Sequence, residues 1–269
     1  MKVGTIINVY NEIEWIETCI KSVIDHVDEL VITEGAYGMA MNVGAAPRST
    51  DGTLDVLEKY KSKSNVTVLH ENEFEQCFQL NKGLEVLKNK KVDWLLMVDA
   101  DEIWEPTAIK IIKNYMKMGQ ENGIYQYWAN LYNFVNSFDQ YIDSRLKRVF
   151  RITPGCHFSN RNEHMSWPDH GVPIGSGIST LPKSCYGYHY TEIKNGKRWL
   201  LKKEYLINRD HNPRFNKWNL TKDGVDHDEM HLVKKFTGKH PKIVQETELY
   251  KLWEKDKELL KKELFDVKS

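Results

Sequence analysis

Two rhythms of apolar and polar positions alternate along the first hundred residues. Short apolar runs recur at residues 3–9, 29–33, 66–69 and 94–98. Each has the length and composition of a strand covered on both faces. Between them, Ile13, Ile16, Ile20, Val23, Ile24 and Val27 follow helical spacing, as do Leu54, Leu57 and Tyr60, and then Cys77, Leu80, Leu84 and Leu87. Ser49-Thr50-Asp51-Gly52 offers capping groups for the second of these helices. Four strands separated by helices predict a mostly parallel sheet with right-handed crossovers.

The second half reads differently. Aromatic-rich segments at 123–128 and 146–152 predict further strands, here antiparallel, and residues 184–190 a last one. Pro, Gly and His cluster between 154 and 182, the composition of loops that carry function. A helix over 196–208 fits Trp199, Leu200, Tyr205 and Leu206. The tail, 246–265, reads as one amphipathic helix with Leu249, Trp253, Leu260 and Leu264 on one side and a Glu258–Lys262 pair on the other. Its apolar side would pack on the body or on a second copy in a homodimer.

Composition narrows the function classes. In 269 residues, Lys plus Arg and Asp plus Glu balance at 38 each, so no electrostatic nucleic-acid binder is indicated. No apolar run reaches the length of about 18 residues that a transmembrane helix needs. The N-terminus reads as a strand and lacks a small-residue cleavage site, which predicts a cytosolic protein. Cys19, Cys77, Cys156 and Cys185 form no close pair and are read as reduced thiols. His157, His164, His170 and His189 match no compact zinc spacing.

The fourth apolar run ends in Asp99-Ala100-Asp101-Glu102. In extended chain, residues i and i+2 share a side, so Asp99 and Asp101 can converge. Convergent carboxylates repel unless a cation joins them, and Mg²⁺ or Mn²⁺ take oxygen ligands. The carboxyl end of a strand in an open α/β sheet is also where ligands bind. The competing reading is a solvated turn before a helix that starts near Pro106.

Four blocks, in order, now carry a resemblance: Asn8-Val9-Tyr10-Asn11-Glu12, Val31-Ile32-Thr33-Glu34-Gly35, Ser49-Thr50-Asp51-Gly52-Thr53 and Asp99-Ala100-Asp101-Glu102. Phe150-Arg151-Ile152-Thr153-Pro154-Gly155 and His189-Tyr190 extend it. The chain resembles family 2 glycosyltransferases. That resemblance implies a GT-A-type, Rossmann-like α/β fold: a mostly parallel sheet flanked by helices, an acceptor-side α+β half and C-terminal helices. It implies a glycosyltransferase domain over 1–210, divided into a nucleotide-sugar-binding half (1–105) and an acceptor-side half (106–210), with a helical extension over 211–269.

The resemblance also assigns roles. Val9, Tyr10, Asn11, Glu12 and Glu34 would hold the nucleoside of a nucleotide-sugar donor, most simply a UDP-sugar, with Asp99 and Ala100 also on the donor. Glu34 stands where the family usually has Asp, and the insertion 36–48 replaces a short turn. That loop could close over the donor and bring Arg48 to a phosphate. Asp101, His189 and Asp99 would hold Mn²⁺ or Mg²⁺, with the imidazole favouring Mn²⁺. Inversion needs a base on the acceptor side. Glu163 is the candidate, with His164 and Glu102 as competitors, because here Glu precedes His where the subgroup has the reverse. Trp167 could stack on a sugar. The acceptor would be a glycan, a lipid-linked glycan met at the membrane surface, or a protein, in glycan or cell-envelope polysaccharide synthesis. The alternatives are a haloacid-dehalogenase-type phosphatase, which also carries Asp-x-Asp after an apolar strand, and a non-catalytic nucleotide-sugar-binding module.

Overall fold

The computed structural model describes residues 1–159, 164–167, 177–210, 219–221, 224–226 and 229–265. In chain order, β1 (Val3–Val9), α1 (Ile16–Val23), β2 (Glu29–Glu34), α2 (Gly38–Met41), α3 (Thr53–Lys61), β3 (Val66–His70), α4 (Gln76–Asn89) and β4 (Trp94–Asp99) come first. There follow β5 (Glu102–Ile103), α5 (Pro106–Glu121), β6 (Gln126–Phe134), β7 (Gln140–Arg151), β8 (His157–Ser159), β9 (His164–Ser166), β10 (Ile178–Thr180), β11 (Tyr186–His189) and α6 (Gly196–Asp210). The C-terminal part holds β12 (Asn219–Thr221), β13 (Gly224–Asp226), β14 (Lys234–Lys235), α7 (Lys242–Gln245), α8 (Glu248–Lys255) and α9 (Lys257–Phe265). The strands and helices expected from the apolar rhythm are present up to residue 210, while the tail departs from it. The rhythm did not predict α2 or β5, which are too short to show a period.

The main sheet runs β3-β2-β1-β4-β7-β6-β11-β5, with β10 beside β6 and β14 beside β7. From β3 to β4 every pairing is parallel. The direction reverses at β7, which is antiparallel to both β4 and β6. Consecutive residues of the parallel strands feed two separate apolar layers. Ile7, Ile32, Leu96 and Val98 join the larger core with α1 and α5. Ile6, Val31, Leu95 and Met97 join α4 on the other face. That is why these strands read as unbroken apolar runs.

The antiparallel part packs on rings instead. Phe134 stacks on Tyr190 at 4.9 Å, and Phe138 meets His240, Tyr250 and Trp253 edge-on or tilted. The tail differs from the expected single helix. Asp256 is extended, and its Oδ1 accepts a hydrogen bond from the Leu259 N–H, so it ends α8 and caps α9. Trp253, Leu260, Leu264 and Phe265 are buried in the chain's own core. Glu258 pairs with Lys261 in place of Lys262. The four cysteines are buried and unbonded.

Candidate functional site

The four sequence blocks meet at the carboxyl ends of β1, β2 and β4. The loop after β1 turns at Asn11, whose positive φ of 51° an Asn side chain tolerates. The third block clamps this loop. Ser49 Oγ accepts from the Asn11 N–H, Thr53 Oγ1 from Glu12, and Asp51 Oδ2 from Ile13, while Asn11 Oδ1 accepts from the Thr50 N–H. The Ser-Thr-Asp-Gly-Thr block therefore holds the first loop as well as starting α3.

A cavity of about 260 Å³ opens beside these ends. Of the residues singled out in the sequence, Tyr10, Asn11, Glu12, Asp99, Ala100, Asp101 and His189 line it, together with Asn8, Tyr37, Ala40, Gln76, Lys194, Arg198 and Leu201. Tyr10, Tyr37, Ala40 and Leu201 pack as one apolar group built on the 36–48 insertion. The charged residues form another group.

Val9, Glu34 and Arg48 do not line this cavity. Val9 is buried in the main core. Glu34 is fully buried, its carboxylate accepting from the Ser49 N–H at 2.8 Å and sitting 3.0 Å from His70 Nδ1. Arg48 donates to the carbonyls of Glu34 and Glu71. These contacts pin the base of the insertion, just where Gly35 (φ 141°) is required, since a Cβ there would sit 2.0 Å from the Glu71 carbonyl oxygen. Glu163 lies outside the described residues. His164 is in β9, and Trp167 is buried with its indole N–H donating to the Arg151 carbonyl.

At the acid end, Asp101 is 96% buried and holds two partners: His189 Nε2 at 3.0 Å from Oδ1 and Lys194 Nζ at 2.8 Å from Oδ2. Lys194 also pairs with Glu12, and Arg198 with Asp51 at 3.1 Å and with Glu14. Behind them the Arg148 guanidinium binds Glu102 through Nε and Nη2 and reaches Asp99 Oδ2 at 2.6 Å. Arg148 gets there by a bulge. Tyr127 pairs with Val149 and Trp128 with Lys147, so Arg148 has no opposite residue and turns out of the ladder toward β4.

Electrostatics follow from this packing. Burial disfavours charge on His189, yet the Asp101 carboxylate beside it, with Glu102 and Asp99, raises its pKa above the ordinary value. Burial likewise pushes the Glu102 carboxyl up, with Arg148 opposing. For Lys194 burial is outweighed by Asp101 and Glu12, and its pKa is raised. Cys19, buried under the Asp99 carbonyl, has its thiol pushed well up by burial and by the surrounding carboxylates, so it is no nucleophile.

Neither Arg148 nor Lys194 was singled out from sequence. An Arg in an amphipathic strand and a Lys before a helix both look like solvated cations until register and turn are known. A divalent ion fits the donor set. Asp101 Oδ1 and His189 Nε2 stand 3.0 Å apart, about the separation of neighbouring octahedral ligands at 2.0–2.1 Å from a cation. Ligand atoms of Asp99, Glu102 and His189 also lie within 4.8 Å of one another. Of these, Glu102 is already taken by Arg148.

Residues 47–159 match the family profile described as Glycosyl transferase family 2, which spans the third and fourth blocks and the Phe150–Gly155 segment. Over those residues the chain is similar to glycosyltransferase family 2. The family match sets aside the phosphatase reading. No curated protein matches at a significant level. Among solved structures, S. aureus TarS 1-349 is similar at 14% identity over 81% of this chain and 70% of that one, with a TM-score of 0.44. Its complex with UDP-GlcNAc gives 14% identity, 81% and 71% coverage, and 0.42. The 4-diphosphocytidyl-2C-methyl-D-erythritolsynthase of Anaerococcus prevotii gives 14%, with 56% and 70% coverage, and 0.36. Likenesses this slight carry no residue roles across. No helix of the described residues is long and apolar enough to cross a membrane.

Proposed function

We propose that this glycosyltransferase is metal-dependent and inverting, and takes its sugar from a nucleotide diphosphate, with a UDP-sugar the first to test. One observation carries the reading: a single cavity joins an apolar group of nucleoside character (Tyr10, Tyr37, Ala40, Leu201) to an acid group in which His189 stands 3.0 Å from Asp101 and within 4.8 Å of an Asp99 oxygen. The base stacks among the tyrosines, with Asn8, Asn11 and Gln76 offering amide hydrogen bonds. Glu34 and Arg48 act one layer out, by fixing the insertion that carries Tyr37 and Ala40.

Asp101, His189 and Asp99 would hold Mn²⁺ or Mg²⁺, the imidazole favouring Mn²⁺. That ion supplies Lewis-acid neutralisation of the diphosphate. Arg148 pairs with Asp99 and Glu102 and fixes both in place. Lys194 occupies Asp101 Oδ2, which leaves Oδ1 to pair with His189. Glu163 remains the proposed base for the acceptor hydroxyl, and residues 106–210 the proposed acceptor side. Acceptors of the glycan, lipid-linked and protein classes follow from the family resemblance.

The test is calorimetric or thermal-shift titration with UDP, GDP, CDP and dTDP, each with Mn²⁺, Mg²⁺ or EDTA. One diphosphate should bind in a metal-dependent way and lose that dependence in Asp101→Ala. A nucleotide at about 100 times its Kd adds roughly 2.7 kcal/mol of stability. If none of the four binds under any condition, the donor site is wrong.

A further inference from the structure

We propose that Lys194 is a second, protein-borne cation of the donor diphosphate site, holding the phosphate oxygens that leave with the nucleotide; this rests on the donor reading above. The cavity wall carries three carboxylates, Glu12, Asp99 and Asp101. A diphosphate entering that wall meets like charge, so cations must outweigh the carboxylates where it lies. Among the described residues three cations near the acid end are candidates. Arg148 is 1% exposed, lies behind Asp99 and Glu102, and does not line the cavity. Arg198 lines it and lies 3.9 Å from Glu12, but its shorter ion pairs go to Glu14 and Asp51, neither of which lines it. Lys194 alone among these three has both of its carboxylate partners, Glu12 and Asp101, on the cavity wall. Its ammonium therefore stands at the acid end itself.

The backbone around Lys194 is built to keep it there. The Trp15 indole N–H donates to the Ile193 carbonyl at 2.7 Å, and Trp15 stacks on Tyr190 at 4.3 Å. The Tyr190 N–H donates to the Asp101 carbonyl, the Ile193 N–H to the Tyr190 carbonyl, and the Asn195 N–H to Glu14. The turn is thus fixed both to the segment just after the first sequence block and to the fourth block. A buried ammonium has three donors, and a fixed one costs little reorganisation when charge develops.

In the transfer, the bond between the anomeric carbon and the diphosphate oxygen breaks, and its electron pair stays on the diphosphate. A bond forms from the acceptor oxygen to that carbon, and the acceptor's proton passes to the general base. Lys194 keeps its protons throughout and donates hydrogen bonds to the departing oxygens.

The test compares uridine, UMP and UDP by calorimetry, with Mn²⁺ and separately with EDTA, in wild type, Lys194→Gln and Lys194→Arg. Should wild type choose another base, the same series of that base is used. Wild type should keep a preference for UDP over uridine in EDTA, where no metal contributes. Lys194→Gln should reduce that preference at least tenfold while leaving uridine affinity unchanged, and Lys194→Arg should restore part of it. If Lys194→Gln does not fold, Glu12→Gln serves instead: it releases the ammonium from one carboxylate and should strengthen the preference. A preference unmoved by these substitutions overturns the role of Lys194 and leaves the donor reading intact. Failure of wild type to bind any nucleotide sinks that reading instead.

Discussion

The two parts of the sheet are held together by different chemistry. From β3 to β4 the core is aliphatic, parallel and apolar on both faces. From β7 to β11 it is mixed, antiparallel between β7 and β6 and parallel between β6 and β11, and packed on rings, and it sends charged side chains back across the boundary: Arg148 from a bulge, His189 from the end of β11, and Lys194 from the turn that follows. The first part presents carboxylates at strand ends, where the topology leaves an opening. The second part supplies the groups that neutralise them. Neither part makes a site alone, and the charge pairs at their seam stabilise the fold as well as serving chemistry.

The sharpest way to break that seam is Arg148→Met. It leaves Asp99 and the fully buried Glu102 without their cation, and urea unfolding should show a loss of about 3–5 kcal/mol. A loss under about 1 kcal/mol, the range of surface pairs, would mean the seam is held by packing.

The ring-packed part has its own titratable group. His240 is buried, takes the Tyr190 hydroxyl on Nδ1 and faces the Phe138 carbonyl through Nε2. Burial lowers its pKa from 6.5 to about 4. A depressed histidine pKa favours the neutral folded form, so its contribution is present above pH 6.5 and is lost as pH falls toward 4. The shift corresponds to about 3 kcal/mol. His240→Phe should flatten the pH dependence of unfolding over that window, and an unchanged profile would assign the titration elsewhere.

Asp101→Asn keeps the side chain's shape but removes the charge shared by His189 and Lys194. Release of nucleotide from the donor should slow at least about a hundredfold, or roughly 2.7 kcal/mol, with the fold retained by circular dichroism. Trp15→Phe is the mildest change. It keeps a ring against Tyr190 but orphans the Ile193 carbonyl, so unfolding should cost about 1 kcal/mol.

The parallel part was legible because each of its residues obeys a local rule: apolar runs for strands, helical spacing between them, carboxylates where a run stops. Asp99, Asp101, Tyr10, Asn11 and Glu12, all singled out in the sequence, lie on one cavity. Glu34 shows where local reading ends. It sits at the end of a strand, as a nucleoside ligand would, yet its carboxylate faces Ser49 and His70 across the insertion. Such a choice depends on the conformation of a segment with no period of its own. Arg148 and Lys194 were invisible for a related reason, since their directions are set by a register shift and by a turn tied to a distant tryptophan. Asp256 shows the same limit in the tail, where one residue divides a pattern that reads as continuous.

The bulge in β7 also makes the length of that strand a property of the active centre. With one residue fewer beside position 148, the ladder with β6 could close without interruption, and the guanidinium would be lost from the acid site with no loss of sheet. A single-codon deletion there is therefore a different experiment from a point substitution. It asks whether the one extra residue of β7 relative to β6, more than any one side chain, keeps the carboxylates compensated.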